Sequence, residues 1–278
     1  MGLFDNCILA CDIDGTLMEN DSINPKNIEK IEYFMNEGGK FSLSTGRAVI
    51  AAGEVAKLLQ KVSPSVVTNG AVIFDYNDGK TILEKTVPKE DYRIVQLVYN
   101  NFEKIGIEIH CGDKAFTLRR TGETDIHQLS EHFEAPDITF EKAFEYNWNK
   151  VNFFFDSLEE REELKSYLKN EKVNSKFVDT CAMLEGKMRY YYEILPFGVS
   201  KASALKELCD LMEIKEGGLF AIGDYYNDLE MLKMADIAAV PKTSPAEIKE
   251  IADYITVSCV DAAVADFIDY LTSQFNSI

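Results

Sequence analysis

The stretch Ile8-Leu9-Ala10-Cys11-Asp12-Ile13-Asp14-Gly15-Thr16 is an apolar run that ends in two carboxylates one residue apart. In an α/β protein, ligands bind outside the carboxyl ends of the strands, so two acids placed there stand where chemistry is done. Gly15 permits a turn at that point, and Thr16 can hydrogen-bond within it. Two acids held close together can bind a hard cation, or they can divide labour as nucleophile and proton donor. A solvated Asp-Gly turn would look the same locally, so the assignment depends on what the rest of the chain brings to the same place.

Three further pieces each follow an expected strand or open a helix. Thr45-Gly46 offers a hydroxyl and a glycine amide, a pair suited to a phosphoryl oxygen. Lys201 lies in the first turn of a helix capped by Ser200. A cation there opposes the helix dipole, which is better explained by a bound anion than by chance. Gly223-Asp224-Tyr225-Tyr226-Asn227-Asp228 places two acids and an amide within a short turn. Magnesium asks for several oxygen ligands in near-octahedral array, and this composition supplies them.

The elements that must hold these residues alternate between strand and helix in the first part of the chain, which predicts a parallel sheet with crossover helices. Asn24-Pro25 opens a helix with Ile28, Ile31, Phe34 and Met35 on one face, closed by Gly38-Gly39. Phe41 to Ser44 reads as a strand, followed by a helix turning Val55, Leu58, Leu59 and Val62 inward, and Ser65 to Thr68 reads as a third strand. Ala71 to Asp75 and Thr81 to Lys85 flank an Asn77-Asp78-Gly79 hairpin turn. From about Val87 to about Tyr192 the pattern changes to an α+β insertion with an antiparallel sheet. Its helices are expected around Ile94 to Phe102 and Leu158 to Asn170, and its strands at 107–111, 115–119, 151–156, 176–179 and 188–195. Alternation then resumes, with Ala204, Leu205, Leu208 and Leu211 facing inward, a short strand Leu219 to Ile222, a capping box at Ser244-Pro245-Ala246-Glu247, and a closing helix from Ala262 to Phe275. The fold class is therefore α/β: a Rossmann-like parallel-sheet core from residues 1–86 and 193–278, with an α+β cap domain inserted at 87–192.

Composition narrows the function. Acidic residues outnumber basic ones, 47 to 29, for a net charge of −18, which argues against a nucleic-acid partner because phosphate-backbone binding needs basic surface. A small phosphorylated substrate stays open, since a metal and one or two local cations offset the repulsion. No apolar run reaches the ~20 residues of a bilayer span, and the N-terminus lacks the basic-then-apolar layout of a signal peptide, so a cytoplasmic protein with no membrane partner is expected. The six cysteines form no Cys-x-x-Cys pair and read as buried free thiols. His127 and His132 are five apart on an expected helix, which does not stack them as metal ligands.

The ordered set Asp12-x-Asp14-Gly15-Thr16, Ser44-Thr45-Gly46-Arg47, Val199-Ser200-Lys201 and Gly223-Asp224-x-x-Asn227-Asp228-x-x-Met231 resembles the haloacid dehalogenase superfamily. More closely, it resembles the Cof-type branch of sugar-phosphate phosphatases, over essentially the whole chain and including Thr68-Asn69-Gly70-Ala71. The resemblance implies that Asp12 is the nucleophile and Asp14 the general acid and later base. Thr45 and Gly46 would hold phosphoryl oxygens, and Lys201 would balance the charge of Asp12 and the phosphate. Mg2+ would be ligated by Asp12, Asp224 and the main-chain carbonyl of Asp14, with Asn227 on the phosphate side and Asp228 acting through Lys201 or water. The implied cap sets specificity; His110 and Tyr190-Tyr191-Tyr192 are its candidates, although an aromatic strand is core more often than site, and Arg47 is expected either to bind substrate phosphate or to pair with an acid. The reaction expected is magnesium-dependent hydrolysis of a small phosphorylated metabolite, a sugar phosphate or phosphorylated cofactor, through an aspartyl-phosphate, by a monomer or weak homo-oligomer. A phosphosugar mutase sharing the motifs, and a phospholigand-binding protein without turnover, are the alternatives.

Overall fold

Ile8–Cys11, four buried residues, is the second strand from one edge of a five-stranded parallel sheet. The strands run in the order Tyr254–Thr256, Ile237–Pro241, Leu219–Ile222, Ile8–Cys11, Lys40–Leu43. Strands covered on both faces read as continuous apolar runs rather than alternating ones, which is the pattern at Ile8–Cys11 and Leu219–Ile222. Register is set on both sides of this strand: Cys11 lies opposite Ile222 on one neighbour and opposite Leu43 on the other. Asp12, Gly223 and Ser44 therefore leave the sheet at the same level. The structure, a computed structural model, describes residues 2–59, 61–184 and 186–276. It divides into two compact units, the first comprising the residues up to Gly46, Val55–Ile82 and the residues from Ser200, the second Arg47–Glu54 and Leu83–Val199.

In the first unit, Asn24 caps the helix Pro25–Asn36 by accepting from Lys26 N at 3.0 Å. Asn27, fully buried, accepts from Ala265 N at 2.9 Å and so ties this helix to the last one, Ala263–Phe275. Ser65–Val67 departs from the expectation of a third parallel strand. It pairs antiparallel with Val72–Asp75, in a three-stranded sheet that Lys80–Glu84 completes, and meets the parallel sheet through the bridge Ser44 to Val66. Two residues expected to face inward, Leu58 and Leu211, are exposed because each is the last residue of its helix. The capping box at Ser244 does not form. Pro245 keeps an extended ψ of 151° and becomes the N-cap itself, so the helix Ala246–Lys249 starts beyond the reach of the Ser244 hydroxyl.

The second unit is a five-stranded antiparallel sheet, ordered Ser175–Leu184, Lys187–Pro196, Lys150–Phe155, Gly106–Cys111, Lys114–Arg119. Ile107, Ile109, Val151, Phe153 and Ile194 form one core with Ile94, Val95 and Val98 of the helix Tyr92–Asn101 and with Leu164 and Leu168 of Leu158–Leu168. Trp148 stacks on Tyr92 at 3.5 Å, and its indole N–H donates to Ala143 O at 2.9 Å. The alternate residues make a buried polar layer: Glu108 accepts from Gln128 at 2.7 Å and lies 2.8 Å from Nδ1 of His127, whose Nε2 is 3.5 Å from Glu131. The linkers belong to this unit for identifiable reasons. Asn149 donates to Glu84 and to Lys85 O at 2.9 Å each, and Lys176 donates to Val199 O at 2.5 Å. Arg47–Glu54 joins it through Ala51, which packs with Ala115, Phe133 and Ala135. Cys7, Cys11, Cys111 and Cys259 are buried free thiols, but Cys181 is exposed on its long hairpin strand and Cys209 is half-buried, so the expectation of six buried thiols is corrected at two positions. His132 lies beyond the helix Gly122–Ser130 that carries His127, with a left-handed φ of 57°.

Candidate active site

Asp12 is the first residue past the strand Ile8–Cys11, its N–H donating to Ile222 O at 3.0 Å. The chain then turns: Thr16, Leu17 and Met18 all donate to Ile13 O, and Gly15, at φ 79°, donates to Met18 O at 3.0 Å. That turn leaves Asp12 buried, 5 % exposed, and Asp14 exposed. Gly15 is a glycine for two reasons. Its backbone is left-handed, and a β-carbon there would lie 2.5 Å from Oδ2 of Asp224. The Asp224 carboxylate is therefore pressed against the peptide that carries the Asp14 carbonyl. Thr16 was expected to bond within the turn; its hydroxyl instead reaches across to Oδ1 of Asp224 at 3.5 Å.

Lys201 enters from the first turn of the helix Lys201–Leu211, where Ser200 and Ser203 cap each other reciprocally at 2.9 and 3.1 Å. Its ammonium donates to Oδ1 of Asp12 at 2.7 Å and Oδ1 of Asp228 at 2.6 Å, with the side chain 2 % exposed. Asp228 is completely buried, and its other oxygen accepts from the N–H groups of Asp224 and Tyr225 at 3.1 and 3.2 Å. Gly223 makes room for it, since a β-carbon there would lie 2.5 Å from the Asp228 Cγ. Both oxygens of Asp228 are thus already accepting, which suits it to ordering Lys201 and the 224–225 turn.

Electrostatics follows from this packing. Burial, and then Asp228, push the Asp12 carboxyl well above the usual range, with Lys201 opposing. Burial and Asp228 likewise push Asp224 up to about 7. Burial works against the Lys201 charge, yet Asp12 and Asp228 hold the ammonium above its ordinary value. Oxygens of Asp12, Asp224 and Asp228 lie within 4.8 Å of one another. When ionised, three carboxylates against one ammonium leave an excess of two negative charges, the balance a divalent cation would meet. The donors are all hard oxygens, the set magnesium or calcium takes and a thiophilic metal does not. The residues present therefore fit a divalent cation.

The remaining expected residues are placed by register. Thr45, 1 % exposed, lies one residue beyond Ser44, whose N–H donates to Cys11 O at 2.8 Å, so Thr45 and Gly46 leave the strand beside Asp12 and Asp14. Asn227 is exposed in the 3-10 turn Tyr226–Asp228. His110, Tyr191 and Tyr192 are buried in the second unit; Tyr192 belongs to its hydrophobic core and stacks on Phe177 at 5.0 Å, and Tyr191 packs edge-on to Phe154 at 5.3 Å. Arg47 is buried as well. Two contributors escape a reading of residue types alone: Thr16 as a partner of Asp224, and the Asn69-Gly70 turn. In each case the signal is an adjacent glycine whose β-carbon has no room.

A model of the haloacid dehalogenase-like hydrolases matches residues 9–268. A 5-amino-6-(5-phospho-D-ribitylamino)uracil phosphatase of Bacillus subtilis is 27 % identical over 293 aligned residues, covering 95 % of this chain and 98 % of that protein. A second phosphatase of the same description and organism is 23 % identical, covering 93 % and 92 %. Among solved structures, a haloacid dehalogenase-like hydrolase from Bacteroides thetaiotaomicron superposes with a TM-score of 0.81 at 21 % identity, over 95 % of this chain and 99 % of that one.

Proposed function

Because the chain belongs to the haloacid dehalogenase-like hydrolases, we propose that it is a phosphoric monoester hydrolase acting through Asp12 with Mg2+ as cofactor. The observation that carries this reading is the salt-bridged pair at 2.7 Å: a buried carboxylate at a strand end, held by a buried lysine that a second acid anchors. A structural ion pair needs no such second acid, whereas a nucleophile facing a phosphate dianion needs both a fixed orientation and a compensating charge.

In the first transfer an Asp12 oxygen forms a bond to phosphorus while the ester P–O bond breaks, and Asp14 gives its proton to the departing alkoxide. Asp14 is exposed two residues beyond Asp12, where it can meet a leaving group that extends outward. Thr45 and Gly46 hold the transferring oxygens through hydroxyl and amide, and Lys201 balances charge as it spreads over the phosphoryl group. In the second transfer Asp14 takes a proton from water, the water oxygen bonds to phosphorus, and the bond to Asp12 breaks, restoring the Asp12 carboxylate and the protonated Asp14. Asp12, Asp224 and the Asp14 carbonyl would hold the magnesium ion, which supplies Lewis-acid stabilisation of the phosphoryl oxygens. Asp228 positions Lys201, and we assign Asn227 to the phosphate side.

The substrate class we assign is a small phosphorylated metabolite, a sugar phosphate or phosphorylated cofactor, and we assign the choice among such molecules to the inserted residues 87–192. The test is phosphate release from a panel of phosphorylated metabolites. Activity should vanish with excess chelator and return with magnesium, and calcium, which draws in extra ligands, should inhibit. Full turnover in chelator contradicts the cofactor assignment, and no release from any ester, including p-nitrophenyl phosphate, contradicts the reaction.

A further inference from the structure

We propose that the left-handed turn Thr68-Asn69-Gly70 is a positioning element of this site: through Asn69 and Gly70 it sets the Thr45-Gly46 loop and the Lys201 helix in register. The inference rests on the phosphatase reading above. Three consecutive residues have positive φ, 54° at Thr68, 54° at Asn69 and 93° at Gly70. L-residues visit this region singly and a β-branched residue does so rarely, so the surrounding structure must impose the conformation. Such imposed strain gathers where geometry is functional.

The turn touches both elements. On one side Thr45 is held from two directions, its N–H donating to Val66 O at 2.9 Å and its carbonyl accepting from Asn69 N–H at 3.1 Å. The Asn69 amide then lies over Gly46, where a β-carbon would be 2.9 Å from Oδ1 and 3.5 Å from Nδ2. On the other side Gly70 is packed so tightly against Ser200 that a β-carbon would overlap the Ser200 carbonyl oxygen and come 3.2 Å from Lys201 N. That carbonyl accepts the first helical hydrogen bond, from Ala204 N at 3.1 Å. Any displacement of it moves the turn that carries Lys201, whose ammonium sits between Asp12 and Asp228. Asn69 and Gly70 act on the reaction through these neighbours.

Three variants test this with p-nitrophenyl phosphate and magnesium. Asn69→Gly keeps the left-handed backbone at no steric cost and removes only the side chain over Gly46. It should lower kcat about tenfold with KM changed less than about threefold and with an unchanged melting temperature. Gly70→Ala should lower kcat about 100-fold, the cost of a misplacement near 1 Å. Gly79→Ala is the control: Gly79 has the same backbone hand, φ 63°, with nothing within 4 Å of its β-position, so it carries the strain without the contact and should leave kcat within about twofold of wild type. If Gly70→Ala does not fold, Asn69→Gly alone decides. The proposal is overturned if wild type turns over and Asn69→Gly retains its kcat, or if the loss of kcat is matched by a loss of melting temperature. A wild type inert toward every ester overturns the phosphatase reading, and this proposal with it.

Discussion

Replacing Lys201 by methionine removes the ammonium that pairs with Asp12 and Asp228 while keeping an unbranched side chain of similar length. The side chain is 2 % exposed and its two contacts are 2.7 and 2.6 Å, so solvent screens neither. Breaking a buried pair by deleting one partner costs about 3–5 kcal/mol, because the other charge stays buried and uncompensated. Here two carboxylates are orphaned, which places the expected loss at the upper end. Measured by urea unfolding in excess chelator, so that no cation takes over the role of Lys201, the variant should lose about 4–5 kcal/mol at pH 7. Far-UV circular dichroism is the signal to follow, since Trp148, the only tryptophan, lies in the second unit. The loss should shrink toward pH 5. Asp12 already has a folded pKa above its unfolded value, and without Lys201 it rises further, so the folded variant holds a proton the unfolded chain releases and gains stability as pH falls. Adding Asp228→Asn should recover about 1–3 kcal/mol, since it removes one of the orphaned charges. A loss under about 1 kcal/mol at pH 7 would refute the claim that this lysine is an electrostatic requirement of the site.

Asp14→Asn should reduce turnover of an alkyl phosphate by about 10²–10⁴-fold and that of p-nitrophenyl phosphate much less, because only the poor leaving group needs its proton; equal losses on both substrates argue against the general-acid role. In the second unit, burial opposes the charge on His127, but Glu108 and Glu131 raise it to about 10. Its contribution to stability should be fully present below pH 6.5 and lost as pH rises toward 10, so His127→Gln should flatten the fall in urea midpoint between pH 6.5 and 9.5, and an unaltered slope counts against the pairing.

Much of the core was legible in the sequence because it obeys simple rules. Ile8–Cys11 and Leu219–Ile222 are short apolar runs that end in Asp or Gly-Asp, and a strand buried on both faces has no other way to read. Ser200 looks like an N-cap and is one. What was illegible depends on neighbours distant in sequence. Ile237–Pro241 has two alanines, with little β-preference, and is a strand because Leu219–Ile222 pairs with it. Ser244 has the residues of a capping box, but its proline fixes the chain one step too extended for the box to close. At the site, Asp12, Lys201 and the 224–228 acids stand out by type and spacing. The pairings of Thr16 and Asn69 do not, since their partners, Asp224 and Gly46, are brought to them by the fold.

The central claim is that Asp12 carries the phosphoryl group during hydrolysis, and the stereochemical course at phosphorus tests it most directly. With a thiophosphate monoester made chiral at phosphorus by two oxygen isotopes and hydrolysed in water carrying the third, so that the thiophosphate released is itself chiral, two in-line displacements return the original configuration, whereas one direct attack by water inverts it. The account predicts retention. Inversion would contradict it, leaving Asp12 at most a ligand beside a water that does the attacking.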